Sequence, residues 1–212
     1  MPVKIDLHVH SHYSSDSIIT PQKLQVYSTD RGLDAVAITD HDRLDSAYKI
    51  AKEVDIPVIP GLEISSSGGH ITGLYVSEVV PPRLSIEETV DRIHKAGGIA
   101  VACHPGSILK GSIDVSTDAR FDAVEVINAS AFPFRRSVKI GEEMSSRLDA
   151  ARVGGSDAHY GSDIGCAYTI VDAEVDSERI IKAIREHRCR PMGRAISLSI
   201  RTKRKLFATF VK

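Results

Sequence analysis

Imidazole and carboxylate side chains recur in this chain at the ends of short β-branched runs: His8 and His10, Asp16, His41, Glu63, His70, His104, and the late pair Asp157 and His159. Neutral imidazoles and carboxylate oxygens are ligands for Zn, Mn or Fe, and no thiolate in the set narrows that choice. Parallel strands that each deliver one or two such groups at their C-terminal ends are how a barrel builds a metal centre at one mouth. The chemistry this points to is metal-assisted hydrolysis.

Each segment carries a plainer reading beside the functional one. In Asp6-Leu7-His8-Val9-His10 the two imidazoles project from one strand face, because residues i and i+2 share a side. Alone, such a pair reads equally well as surface or core histidine. Thr39-Asp40-His41-Asp42 ends an apolar run with charge where a helix would begin, which also suits an N-cap aspartate. Glu63 interrupts the apolar run Pro60-Gly61-Leu62-Glu63-Ile64. Buried without a cationic partner it would cost several kcal/mol, roughly, so it requires a metal or an arginine nearby. His70 follows Gly68-Gly69, and His104 ends the run Ala102-Cys103-His104-Pro105. In Gly154-Gly155-Ser156-Asp157-Ala158-His159 the i, i+2 spacing returns after two glycines that allow close backbone approach.

The elements that must position these groups alternate along the chain. Strands are predicted at 4–8, 34–39, 57–62, 99–103, 121–127, 151–155 and 167–171, and helices at 21–32, 42–54, 85–97, 135–149 and 176–187. Thr20-Pro21 reads as an N-cap with Pro at the first helical position, and Ser85 with Glu88 as a capping box. Gly32 and Gly97-Gly98 stand where helices should stop. Residues 71–76 form an extra strand expected to pair locally after 57–62, and 105–118 is a loop long enough to reach over a barrel mouth. The alternation predicts a parallel α/β sheet, and ligand-type residues following strands from the first to the sixth favour a closed barrel over a doubly wound sheet.

A chain of 212 residues can bury one substantial core, and 42% hydrophobic with 26% charged residues is ordinary for a globular protein. It has no apolar run of membrane-spanning length, and its start lacks a secretory pattern, so the cytoplasm is the expected compartment and no membrane partner is expected. Cys103, Cys166 and Cys189 form no CxxC pair and read as small buried hydrophobes. Residues 188–212 hold eight Lys/Arg and no Asp/Glu, against 19 basic and 28 acidic residues before them. The expected division is therefore a barrel at 1–187 and a basic C-terminal extension at 188–212. That extension either follows a nucleic-acid backbone or folds back on the acidic body, and 196–200 alternates like a strand.

His8-x-His10, Thr39-Asp40-His41-Asp42, Gly61-Leu62-Glu63, Cys103-His104-Pro105 and Ser156-Asp157-Ala158-His159 together resemble the motifs of the PHP (polymerase and histidinol phosphatase) superfamily, from residue 4 to about 172. The resemblance implies a distorted (β/α)7 TIM-like barrel with two or three divalent ions (Zn, Mn or Fe) at the C-terminal mouth of the strands. Carried over position by position, it implies a first site of His8, His10, Glu63 and Asp157. Glu63 then bridges to a second ion held by His70 and His104, and Asp16, His41 and His159 hold a third. Other members carry His or Glu where Asp16 stands, so neighbouring His12 is the alternative ligand.

Three carboxylates and six neutral imidazoles around three divalent cations leave a formal excess of +3, which suits a phosphate dianion and a hydroxide. The expected activity is phosphoesterase cleavage of a phosphomonoester or nucleotide by a metal-activated water, with Asp157 in the catalytic set. Asp40 is expected to orient His41 or to serve in proton transfer. Asn128, Arg135 and Arg136 are the candidate substrate contacts, with Lys110 behind them. His94 and His187 are expected to be solvated and outside the chemistry. Two other functions fit the sequence: an exonuclease acting on DNA or RNA ends through the basic extension, and a metal-free scaffold barrel within a ribonucleoprotein.

Overall fold

The computed structural model of the chain describes residues 1–109 and 111–197. Nine strands form one sheet: β1 (Val3–Val9), β2 (Ala35–Ile38), β3 (Val58–Ser66), β4 (Gly69–Leu74), β5 (Ile99–Ala102), β6 (Ala123–Asn128), β7 (Ala151–Gly155), β8 (Ala167–Val171) and β9 (Cys189–Gly193). Their order is β7-β6-β5-β4-β3-β2-β1-β8-β9. Five helices cover it: α1 (Pro21–Asp30), α2 (Asp45–Ile50), α3 (Ile86–Lys95), α4 (Phe134–Leu148) and α5 (Ser177–Arg185). Thr20 and Ser85 cap α1 and α3, accepting from the backbone N–H groups of Lys23 and Glu88. On α3, buried Ile86, Val90 and Ile93 recur at helical spacing, and each such side chain removed from water contributes about 1.5–3 kcal/mol.

β1, β2 and β3 are parallel, the β3–β4 hairpin and β5 are antiparallel neighbours, and β5, β6 and β7 are parallel again. The sheet curls into a nearly closed barrel. β1 pairs with β8 over Val3–Ile5 and then turns to the segment after β7, where Asp157 N–H donates to His8 O and His10 N–H to Ala158 O. Asp6 sits at this fork with no exposure. Its carboxylate accepts from the backbone N–H groups of Ser156, Gly165 and His8, while burial pushes its pKa up to about 6 against those bonds. A Cβ on Gly155 would lie 2.5 Å from that of His8, so closure at this seam requires glycine.

Three expectations are corrected. The barrel has more than seven strands, and residues 167–171 run antiparallel to β1. Between β7 and β8 lies only a 3-10 turn at Gly161–Asp163, and a parallel return needs a crossover of a dozen or more residues. The chain therefore comes straight back down. The helix expected over 42–54 shortens to α2, because Asp42 takes a positive φ of 53° and its N–H donates to Glu63 O.

The chain after β9 rises on the mouth side, where the Ile196 N–H donates to Ala129 O and its side chain packs with Ala129 and Cys166. Residues 198–212, which include most of the strand-like stretch 196–200, and Lys110 lie outside the described residues.

Candidate metal centre

Six strand ends converge at the mouth. Asp6 and His8 lie on one face of β1, and His10 follows at its end. His41 follows β2, Glu63 lies within β3, His70 opens β4, His104 follows β5, and Asp157 and His159 follow β7. His104 and Asp157 hold positive φ values of 32° and 52°, an uncommon conformation for residues other than glycine and one that clusters at functional sites.

Glu63, 1% exposed, is the centre of the cluster. Its Oε2 lies 3.4, 3.1 and 3.3 Å from His8 Nε2, His10 Nε2 and His41 Nδ1. Its Oε1 lies 2.9 Å from His70 Nδ1 and 3.1 Å from His104 Nε2. Asp157 Oδ1 lies 3.5 Å from His10 Nε2 and 3.8 Å from His8 Nε2. At the outer edge Asp16 Oδ2 stands 3.1 Å from His159 Nε2 and 3.5 Å from His41 Nε2. Asp16 thus joins His10, His41 and His159 in one group of potential ligand atoms. The alternative, His12, is exposed and packs its ring 4.2 Å from that of Tyr13.

This donor set fits divalent cations. Two ligands about 2.1 Å from one ion in tetrahedral array lie roughly 3.4 Å apart, and the spacings around Glu63 Oε2 and Asp157 scatter about that value. His41 Nδ1 is buried without a hydrogen-bond partner, a costly arrangement that an ion would relieve. The titrations agree. Burial lowers the His8 pKa, yet Glu125, Glu63 and Asp157 hold it well above the ordinary imidazole value. His41 is pushed up to about 9: burial opposes this, but Asp16 and Glu63 prevail. His104 and His159 are raised by Glu63 and Asp16 over the same opposition. Against burial, the surrounding imidazoles lower Glu63, Asp157 and Asp16. Protons on these imidazoles occupy the role that cations would take, and a bound metal would displace them.

A cavity of about 860 Å³ opens above the cluster, walled by the Ser65–Gly69 turn, Gly111 and Ser112. Among its described lining residues there is no Lys or Arg. Arg135 and Arg136 lie exposed at the start of α4, and the Arg136 guanidinium donates to Gly106 O. Asn128 is 1% exposed and its amide nitrogen donates to Glu125 and Asp157. Both carboxylate oxygens of Asp40 bond Ser11, at its N–H and its Oγ, which ties the end of β1 to the end of β2. His187 is exposed. His94 is not simply solvated: its Nε2 lies 2.7 Å from Asp122 Oδ2. Cys103 is buried beneath the cluster with its Sγ 2.9 Å from Thr72 Oγ1, and burial pushes its thiol pKa well up.

Sequence reasoning missed Glu125. It is 3% exposed, with Oε1 3.0 Å from His8 Nδ1 and Oε2 accepting from the His104 N–H. Its signal was available: a carboxylate inside the apolar run Ala123-Val124-Glu125-Val126-Ile127, the same anomaly that singled out Glu63.

A PHP domain model matches residues 6–128, and a PHP-associated model matches 139–189. The chain belongs to the PHP domain family. An uncharacterised protein of Methanocaldococcus jannaschii is 38% identical over 141 residues, 60% of this chain and 82% of that protein. A 5'-3' exoribonuclease of Haemophilus influenzae is 32% identical over 48% of this chain and 39% of its own length. A 3',5'-nucleoside bisphosphate phosphatase of Chromobacterium violaceum is 37% identical over 36% of this chain and 29% of its own. Among solved structures, a two-domain Bacteroides vulgatus protein containing a predicted PHP-like metal-dependent phosphoesterase superposes with a TM-score of 0.74 at 20% identity, over 92% of this chain and 65% of that one. No helix among the described residues is long and apolar enough to cross a membrane.

Proposed function

We propose that this chain is a metal-dependent phosphoesterase that hydrolyses a phosphomonoester or nucleotide at a centre of two or three divalent ions, Zn, Mn or Fe. The observation that carries the reading is Glu63, whose two oxygens face different imidazole sets, His8, His10 and His41 on one side and His70 and His104 on the other. A carboxylate so placed would be able to hold two neighbouring ions, one through each oxygen. When bound, the cations supply Lewis acidity, acidifying water and drawing charge from phosphoryl oxygens. The chain's part is to hold the donors rigidly. β1 and β3 fix His8, His10 and Glu63 in the buried floor, and Asp157 reaches in from the seam. Asp16, His41 and His159 stand at the open edge, with Asp16 48% exposed at its side chain, where a leaving group meets solvent. Asp40 acts through Ser11 to hold the end of β1. Substrate contacts from Arg135 or Arg136 require the loops at Gly106 and the start of α4 to face the bound molecule. The bisphosphate phosphatase relative supports a nucleotide-like substrate.

The test is metal analysis of purified protein coupled to phosphate release across nucleotides, bisphosphates, sugar phosphates and short oligonucleotides. Stoichiometric divalent metal with release from the small esters is expected, and a chain that binds no metal under replete conditions overturns the reading. One observation favours a second function, removal of nucleotides from nucleic-acid ends. The Ile196–Ala129 hydrogen bond brings the chain to the mouth just before the basic run Arg201-Thr202-Lys203-Arg204-Lys205, and an exoribonuclease is among the relatives. Faster turnover of oligonucleotides than of mononucleotides, with steep salt dependence, would select it.

A further inference from the structure

Beneath the cluster, one carboxylate touches residues assigned to two different ions. Glu125 Oε1 lies 3.0 Å from His8 Nδ1. Its Oε2 accepts from the His104 N–H at 3.0 Å and from Asn128 Nδ2 at 2.9 Å. The same Asn128 nitrogen lies 3.4 Å from Asp157 Oδ2, and Asn128 Oδ1 is pinned by the Ser130 N–H at 2.8 Å. We propose that Glu125, acting with Asn128, is the positioning residue that couples the ion-binding subsites. It sets His8, His104 and Asp157 together rather than one at a time. This rests on the reading of the mouth as a metal centre.

The argument is one of hydrogen-bond direction. A carboxylate is an acceptor only, so the His8 Nδ1 facing it must carry a proton. Once the second proton leaves, it is Nε2 whose lone pair is free in the space shared with His10, Glu63 and Asp157, the tautomer a metal ligand needs. The His104 backbone, at φ 32°, is held where its imidazole reaches Glu63 Oε1 by the bond from its N–H to Glu125. Asn128 extends the same restraint to Asp157, whose backbone is also left-handed. Gly155 presses β7 against both partners: a Cβ there would lie 2.5 Å from His8 Cβ and 2.8 Å from Glu125 Oε1. No other carboxylate among the described residues bonds both the His8 ring and the His104 backbone.

Glu125→Gln tests this, because glutamine keeps the volume and offers an N–H toward His8. A residue serving only to fill space would be well replaced. Glu125→Gln is expected to bind Co²⁺ and Zn²⁺ about 10- to 100-fold more weakly, the range for partners behind a ligand. The loss should extend to more than one ion per chain, and the cobalt absorption bands should change, while the metal-free melting temperature stays within a few degrees of the parent. Asn128→Ala is expected to give a smaller loss of the same kind, and it decides the matter if Glu125→Gln does not fold. Parental affinity, stoichiometry and cobalt spectrum in the folded variants overturn the proposal. A parent chain that binds no cobalt or zinc overturns the metal-centre reading itself, a separate and distinguishable result.

Discussion

At the base of the barrel, Gly32, Gly97, Asp149 and His187 hold φ values of 60°, 81°, 49° and 57° directly after α1, α3, α4 and α5. At the mouth, Asp42, His104 and Asp157 hold 53°, 32° and 52°. Below, the left-handed turn ends a helix and turns the chain toward the next strand, an ordinary use that glycine or a short polar residue serves. Above, it aims a side chain into the cluster or halts a helix that would otherwise cover it. The charges differ in the same way. At the base His94 meets Asp122 at 2.7 Å and Arg185 approaches the same carboxylate at 3.5 Å, all partly open to water. At the mouth six imidazoles surround three carboxylates, and the inner members are buried. One end is built to stop the chain and the other to hold unfavourable groups together.

The largest expected effect belongs to the mouth. If Glu63 is shared between ions as proposed, Glu63→Ala should abolish both metal binding and turnover, more than a hundredfold below parent, a larger loss than removal of a partner behind a ligand. Metal content and phosphate release measured on the same sample check it, and full turnover would break the contrast between the two ends.

Next comes pH. The metal-free His41 is raised to about 9 from 6.5, so its contribution to stability is fully present below about pH 6.5 and is lost as pH rises through about 9. Melting temperature in chelator should fall across that window. Cation affinity should rise across it, because the same protons must leave. Calorimetry against pH reads the second trend, and a flat affinity profile would contradict the displacement of protons by metal.

Asp6 tests the seam between the two ends. Asp6→Ala strands the buried N–H groups of His8, Ser156 and Gly165, and should cost about 3 kcal/mol or more in urea unfolding. The smallest effect lies at the base: His94→Ala removes one partly exposed hydrogen bond, about 1 kcal/mol, with metal content and turnover unchanged. A catalytic defect in that variant would mean that the base is not independent of the mouth.

The local chemistry was readable from the residues. His8 and His10 share a face because strand geometry alternates with period two, and Thr20 and Ser85 cap helices because their hydroxyls accept N–H groups within three residues. Glu63 betrayed itself as a charge in an apolar run. Glu125 did so equally and was passed over, since its partners stand 117 and 21 residues away. The direction of β8 was missed because alternation in 167–171 is identical for a strand running up or down. Only the short connection from β7 sets it. Asp40 points to Ser11 and not to its neighbour His41, which sequence adjacency cannot show.

The order of residue types along the chain thus sufficed to single out the imidazoles and carboxylates that meet at the mouth and to place them at strand ends, since those facts depend on spacings of two to four residues. It could not say which oxygen of Glu63 faces which imidazole, that Asp16 and not His12 joins the outer group, or that one buried carboxylate stands behind both His8 and His104. Those relations arise when strands distant in sequence are brought to within about 5 Å of one another across the sheet, and barrel closure at the Asp6 and Gly155 seam is what brings them there.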